Sequence, residues 1–563
     1  MADRNYNSIQ ATKRILALLR GDWRDVSVIL IYATGVGLSS LVVPVAVKSL
    51  VNTVAFGTLL QPVVILTLIV GGVLFFSGIM RCFQLFVVEV IQRRLVTRLG
   101  LTLASRIPHI QREKFLSTVG PEYVLRFLEV FQVQKTLSVL LLDGIALFFQ
   151  ITIGLTLVSF YHPLFLAFAL VLLIITVFIF SLLGWGAVQS SVKESDAKYD
   201  VATWLQDLAS SATVFKSPAG ELYAKKRANS LIEKYLRCRS THFRIILRQV
   251  SASLLLQAVA SSLLLGLGGW LVIKGQLTLG QLVAAELVFS IVLVSVARMG
   301  KHLESFYDLA AGVNKLDALL ELPFEELTGS TIEHRQQPAQ LRFEDLTIAP
   351  PGSIAPSLSK ASLDIKPGSK IAIWGENGSG KSYITNIIFR LSDPTTGRVR
   401  LDEYNVTTIH PLELRNDVAL IRDIEIFHGT IRDNITLGRS DIQEKEVNNA
   451  LQLVGLADEV LSLPQGLETI LRGTPAPLSR GMALRLMVAR GILAKPRLLL
   501  LDGTLDLIDE RSRKLMLSSI LSDAFESTTV VFTHDETLMK LFPVTYKITD
   551  ATFKLVSGDR VAS

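Results

Sequence analysis

Charge and cysteine are both scarce in this chain. Only 19% of its 563 residues are charged, and the two cysteines are Cys82 and Cys238. A soluble chain is closer to a quarter charged, so a deficit concentrated in long apolar runs points to a membrane. Two cysteines in different segments make no disulfide framework and no metal-ligand spacing, and each reads as a packing residue. The opening MADRNYNSIQATKR has no apolar run and no small-residue cleavage site, so no cleavable signal is expected. No low-complexity tract is present. The formal net charge is +7. Its basic residues are spread out rather than interleaved with aromatics on one face, which argues against a nucleic-acid partner and for the Lys/Arg-rich loops of a membrane protein.

Half of the residues are hydrophobic, and the mean hydropathy is +0.43. Six apolar runs lie at about 26–52, 60–90, 136–160, 163–184, 250–273 and 278–299, each near the roughly 20 residues that cross a bilayer. The stretches after the second and fourth runs are charged and rich in helix formers, so the helices are expected to continue beyond the membrane. Loops 53–62, 159–163 and 273–280 hold a single Lys or Arg, Lys274. The long stretches carry Arg93, Arg94, Arg98, Arg106, Arg112, Lys114, Lys193, Lys198, Lys225, Lys226 and Arg227. The positive-inside rule then places the long stretches, both termini and everything after residue 300 in the cytoplasm. Residues 1–24 read as an amphipathic helix at that interface, with Ile9, Ile15, Leu16 and Leu19 on one face.

Past residue 320 the character changes. A membrane domain at 25–320 gives way to a polar linker at 321–340 and a second domain at 341–563. There, short β-branched runs alternate with helical patterns (KIAIWG then SYITNIIFRL, VALIRD, RLLLLD, TVVFTH). That alternation indicates an α/β domain with a largely parallel sheet.

Within it, Gly375-Glu-Asn-Gly-Ser-Gly-Lys381-Ser382 matches the P-loop pattern, after a strand and at the start of a helix. Gly375, Asn377, Gly378, Ser379 and Gly380 form a loop whose N–H groups curl around phosphate. The helix N-terminus favours the anion. Lys381 reaches the β and γ phosphates and Ser382 ligates Mg²⁺. Arg497-Leu-Leu-Leu-Leu-Asp502 is a buried-strand pattern ending in an acid, and Asp502 would hold Mg²⁺ through water. ATP and Mg²⁺ are therefore the expected ligands.

Further phrases carry a resemblance. Leu478-Ser-Arg-Gly-Met482 resembles the ABC signature LSGGQ. Asp509 sits in a D-loop-like turn, and Thr533-His534 resembles the switch histidine. Phe427-His-Gly-Thr-Ile-Arg-Asp-Asn-Ile435 and Gly275-Gln-Leu-Thr-Leu-Gly-Gln-Leu-Val-Ala284 are similar to phrases of ABC exporters. The chain thus resembles an ABC exporter half-transporter: an all-α six-helix transmembrane domain followed by an α/β P-loop NTPase domain. Asp143, near the start of the third span, leans towards the type I secretion branch.

The resemblance implies that two halves, identical or different, pair in a lipid bilayer of the bacterial inner membrane and move a substrate that the sequence does not name. It implies that Ser479 and Gly481 donate to the γ-phosphate of the partner's ATP, that Asp502 and His534 serve catalysis, and that coupling helices lie near 112–120 and 198–207. Ionisable residues inside the spans, Lys48, Arg81, Glu89, Asp143, Glu286 and Arg298, are expected to face a cavity, a partner or the interface.

The chain departs from the family at chosen points. The general-base glutamate after Asp502 is Gly503, which neither accepts a proton nor holds a water. The Q-loop glutamine is Arg422, which has no acceptor for metal or water. The adenine-stacking aromatic falls near Pro350, and the signature carries Arg480 and Met482. Phosphate and metal binding are expected to survive while water activation is lost, with Asp506, Asp509 or a residue of the partner half as the substitute bases to consider. Three functions follow: an exporter subunit whose turnover depends on an intact partner half, a slowly hydrolysing homodimer acting as a nucleotide-regulated membrane switch, or a non-transport role in which the membrane half recruits an accessory or outer-membrane component.

Overall fold

The computed structural model describes residues 8–56, 60–111, 121–333, 335–349, 355–473 and 475–557. The chain divides into two compact units, with Phe324 closing the first and Glu325 opening the main part of the second.

The first unit is helical: α1 (Ser8–Leu19), α2 (Trp23–Ser39), α3 (Val42–Phe56), α4 (Leu60–Arg106), α5 (Glu129–Val139), α6 (Ile145–Ser159), α7 (Pro163–Leu182), α8 (Ala187–Ser210), α9 (Pro218–Ile273) and α10 (Leu279–Leu320). Among the described residues these make six spans long and apolar enough to cross a membrane, and each contains one of the runs read from the sequence. The 56 residues of α9 extend about 84 Å at the helical rise, against a hydrocarbon core of about 30 Å. The helices therefore run well past the bilayer, as the charged stretches imply.

Reversals between spans are built from capping chemistry. His162 Nδ1 accepts from Leu164 N at 3.1 Å and Pro163 opens α7. In the phrase Gly275–Ala284, the Thr278 hydroxyl accepts from Gln281 N and the Gln281 side chain accepts from Thr278 N, a reciprocal cap that starts α10. Gly280 lets α10 approach α3 so closely that a Cβ there would lie 2.8 Å from the Lys48 carbonyl oxygen. Helix α10 forms the centre of the unit: Val288, Phe289, Val292, Leu293 and Val296 are buried, and Phe289 packs edge-on against Phe165 and Phe168.

Two expectations change. On α1 the buried face is Ala11, Ile15 and Leu19, with Leu16 half exposed; the helix also ties down through Arg14 to Asp317 at 2.7 Å. Residues 198–207 form no separate coupling element. They continue α8, and the chain reverses only after Ser210, where Trp204 packs edge-on against Phe215 and Tyr223. The other coupling segment, 112–120, lies outside the described residues. Of the ionisable residues in the spans, Lys48 sits over the Tyr161 ring at 4.4 Å, and Glu89 pairs with Arg93 at 2.8 Å. Asp143 is exposed in a π-helical turn, Leu140–Gly144. Glu286 Oε2 is buried without a hydrogen-bond partner.

The second unit contains β1 (Leu341–Ile348), β2 (Leu358–Ile365), β3 (Lys370–Trp374), β4 (Thr396–Leu401), β5 (Tyr404–Asn405), β6 (Val418–Ile421), β7 (Gly429–Thr430), β8 (Ile470–Leu471), β9 (Leu498–Asp502), β10 (Thr528–Thr533), β11 (Val544–Thr549) and β12 (Thr552–Ser557). A six-stranded sheet runs β12-β11-β3-β10-β9-β6. It is parallel except for the edge strand β12. Its central strands are buried on both faces, which is why they read as unbroken apolar runs. A separate sheet, β2-β1-β4-β5, is antiparallel.

Register decides what meets at the sheet's carboxyl edge. Trp374 pairs with Thr533, Phe532 with Asp502, and Ile421 with Leu501. The residues leaving β3, β10, β9 and β6 therefore emerge side by side, where ligands bind in open α/β sheets.

Candidate nucleotide-binding site

The P-loop follows β3 and opens α11 (Lys381–Ile388). Gly380 is the helix N-cap at φ +89°, a left-handed conformation that side chains rarely adopt, and a Cβ there would meet Ser357 at 2.7 Å. The loop's crest, Glu376–Gly378, is exposed. Lys381 folds back over it: Nζ donates to the carbonyl oxygens of Gly375 at 2.5 Å and Glu376 at 2.8 Å. Burial lowers the Lys381 pKa, opposed by the nearby Asp502 and Asp506 carboxylates. The ammonium thus stands over a cradle of backbone N–H groups with two acids behind it, an arrangement that fits a polyphosphate. Ser382 is exposed at the first turn of α11.

Asp502 ends β9 and is buried, with 7% of its surface exposed. Its Oδ2 accepts from Thr385 Oγ1 at 3.0 Å. Arg422, the residue leaving β6, brings its Nε to 3.4 Å from the same oxygen. The Arg422 Nη2 donates to Thr385 Oγ1 at 3.0 Å and to Asn386 Oδ1 at 2.7 Å. Sequence reasoning finds Arg422 as a missing acceptor but misses its partner. The available signal is a basic residue directly after β6 beside a strand ending in an acid.

Gly503 follows Asp502 at φ +66°, and its N–H donates to the Phe532 carbonyl at 2.9 Å. The substitute bases are otherwise engaged. Asp506 is held by His534: its Oδ2 lies 2.7 Å from His534 Nδ1 and accepts from His534 N, while its Oδ1 accepts from the Thr533 hydroxyl. Asp509 Oδ1 accepts from Ser512 N at 2.9 Å and caps the helix Glu510–Ile520. That hydrogen bond lowers the Asp509 pKa.

The signature lies on another element. Ser479 is the N-cap of α12 (Arg480–Leu493), and its hydroxyl accepts from Met482 N at 3.2 Å. Gly481 is open, with Ser479 Oγ at 4.0 Å from where a Cβ would stand. Among the described residues, no hydrogen bond joins Ser479 or Gly481 to the P-loop of the same chain. Thus Gly375–Ser382, Asp502, Arg422 and His534 gather along one sheet edge, while Ser479 and Gly481 do not join them. Pro350 lies outside the described residues.

A P-loop before a buried strand-end acid, with a serine-capped signature helix, defines an ABC-type nucleotide-binding domain. The ABC transporter family matches residues 358–505. The chain carries an ABC transporter domain after, among the described residues, six helices long and apolar enough to cross a membrane, and it has the fold of a solved ABC exporter. An ATP-dependent lipid A-core flippase of Chromobacterium violaceum is 33% identical over 196 residues, which is 35% of this chain and 34% of that protein. An alpha-hemolysin translocation ATP-binding protein of Escherichia coli is 26% identical over 299 residues, 52% of this chain and 42% of that one. The chain therefore spans well under two thirds of the length of these two curated relatives. A solved bacterial Atm1-family ABC exporter with ATP bound matches with a TM-score of 0.84 at 19% identity, covering 96% of both chains.

Proposed function

We propose that this chain is the ATP-binding and permease subunit of an exporter, and that hydrolysis at its own site is impaired. The observation that carries this is the end of β9. Asp502 is followed by a glycine in a left-handed conformation, and its carboxylate is engaged by Arg422. Gly375–Ser382 with Lys381 supplies the phosphate cradle. Losing a general base costs about 10²–10⁴ in rate. Mg²⁺ at Ser382 and Asp502, which the family resemblance implies, would meet the Arg422 guanidinium at Asp502.

The active assembly is a dimer in a bacterial inner membrane, with the nucleotide domain and both termini cytoplasmic. The chain reads as an interfacial helix at 1–24, a membrane domain at 25–320, a linker at 321–340 and a nucleotide domain at 341–563. Ser479 and Gly481 serve the ATP of the partner half, which the separation of the signature from the chain's own P-loop supports. His534 borders the γ-phosphate position. One relative is named for a lipid and the other for a protein toxin, so similarity selects neither cargo.

Co-expression tests this reading. A second half with Asp-Glu at the end of its own β9 equivalent is expected to raise phosphate release at least about tenfold over this chain alone, within the range that a general base supplies. Equal rates with and without that partner contradict the reading.

A further inference from the structure

We propose that the Arg422 guanidinium takes the place of the divalent cation, so that this chain's P-loop binds ATP without needing Mg²⁺. The inference rests on the ATP-binding reading above and deepens it.

Mg²⁺ in a P-loop site takes the Ser382-type hydroxyl, phosphate oxygens and waters, one of which leads to the strand-end acid. That acid must be available to the cation's hydration shell. Here Asp502 Oδ2 is engaged twice, by Thr385 Oγ1 at 3.0 Å and by Arg422 Nε at 3.4 Å. The guanidinium is not a passing surface group. It is mostly buried, with 18% of its side chain exposed. Two hydrogen bonds from Nη2 fix its plane, to Thr385 Oγ1 and Asn386 Oδ1, both on the helix that the P-loop opens, while Nε meets Asp502 as an ion pair. The strand register holds it there as well, since Ile421 pairs with Leu501 and the next residues are Arg422 and Asp502.

Two cations of like sign do not share one buried carboxylate cheaply. A hydrated Mg²⁺ entering beside Asp502 faces a fixed positive charge, and its liganding glutamine is absent. The same charge already does part of the metal's work. Arg422 neutralises Asp502, which otherwise repels the γ-phosphate, and the Lys381 ammonium rests on the loop carbonyls of Gly375 and Glu376. Arginine suits this role because it stays charged when buried and holds a fixed fork of donors. An arginine balances charge but generates no metal-bound water, so the exchange also fits slow turnover.

The test uses the full-length chain in lipid nanodiscs and measures ATP affinity with millimolar Mg²⁺ and again with excess EDTA. Wild type is expected to change by less than about threefold, which is under about 0.7 kcal/mol. Arg422→Gln, which restores an acceptor beside Asp502, is expected to lose at least about tenfold in affinity on metal removal. A second measurement needs no variant: ATP retained by wild type after desalting with Mn²⁺ should carry little Mn²⁺ by electron paramagnetic resonance. A tenfold or greater loss of wild-type affinity in EDTA, or about one Mn²⁺ retained per ATP, overturns the metal-free site while leaving ATP binding intact. No ATP binding under either condition overturns the functional reading itself, and the inference with it.

Discussion

Arg422 Nε lies 3.4 Å from Asp502 Oδ2, at the ends of two adjacent parallel strands. The pair joins the two places where the sequence departs most from the ABC exporter pattern it resembles: the Q-loop position and the end of β9. On the proposed reading, Gly503 stands where a general base would, and Arg422 engages the acid that would otherwise serve a metal. On that reading both changes bear on one step, water activation, and neither lies in the P-loop.

The first prediction concerns Gly503. Its φ of +66° costs an L side chain about 1–2 kcal/mol, although a Cβ there meets open space. Gly503→Glu alone is therefore expected to raise phosphate release by less than about tenfold, because strain displaces the new carboxylate and Arg422 stays in place. Gly503→Glu with Arg422→Gln is expected to exceed the product of the two single gains, a coupling seen between residues of one network. Steady-state phosphate release from the three variants measures it.

Lys381 should matter for binding rather than folding. Its ammonium rests on two loop carbonyls and points its charge at the phosphate cradle. Lys381→Ala is expected to weaken ATP binding by about 10–100-fold, the worth of a hydrogen bond to a charged group. Calorimetric titration with ATP checks it, and the thermal transition without nucleotide should shift little.

Asp506 and His534 form a unit. His534 Nδ1 lies 2.7 Å from Asp506 Oδ2, and the acid is almost wholly buried. If residual turnover runs past His534, Asp506→Asn and His534→Ala should each lower it, and the double variant should fall no further than the worse single one. Additive losses mean that the two residues act separately.

Arg497 is structural. It is buried and holds Asp402 at 2.7 Å, Asp417 at 3.0 Å and the Gln337 carbonyl oxygen at 2.7 Å. Arg497→Met leaves the buried Asp417 and the mostly buried Asp402 without this partner and is expected to cost about 3 kcal/mol. For a domain of this size that lowers the melting temperature by about 6–12 °C, readable in a thermal scan of the nucleotide domain's transition. Wild type and variant are compared without ATP, so that ligand binding does not add to either.

Much of this was legible in the sequence, and the reasons differ by element. The six spans are plain because uncharged apolar runs of that length match the thickness of a bilayer and exceed what a globular helix needs. The P-loop is plain because its glycines, lysine and serine are local to one turn. Strands such as β9 and β10 stand out as unbroken apolar runs. The β2-β1-β4-β5 sheet does not, because its strands mix buried and exposed positions and include bulges. The buried face of α1 is set by tertiary packing, which chose Ala11 over Leu16. The meeting of Arg422 with Asp502 depends on the pairing of β6 with β9, which no local pattern records. The left-handed backbone at Gly503 is likewise fixed by the chain around it, and it changes what a restored glutamate is expected to do.

The most direct test of the central claim is one preparation of the purified full-length chain, assayed side by side for ATP binding and for phosphate release. The expected result is binding that Lys381→Ala abolishes or sharply weakens, with turnover of about 0.1 s⁻¹ or slower, a usual rate near 10 s⁻¹ reduced by about 10²-fold for the missing base. Turnover near 10 s⁻¹ by the chain alone, lost on Lys381→Ala, contradicts it.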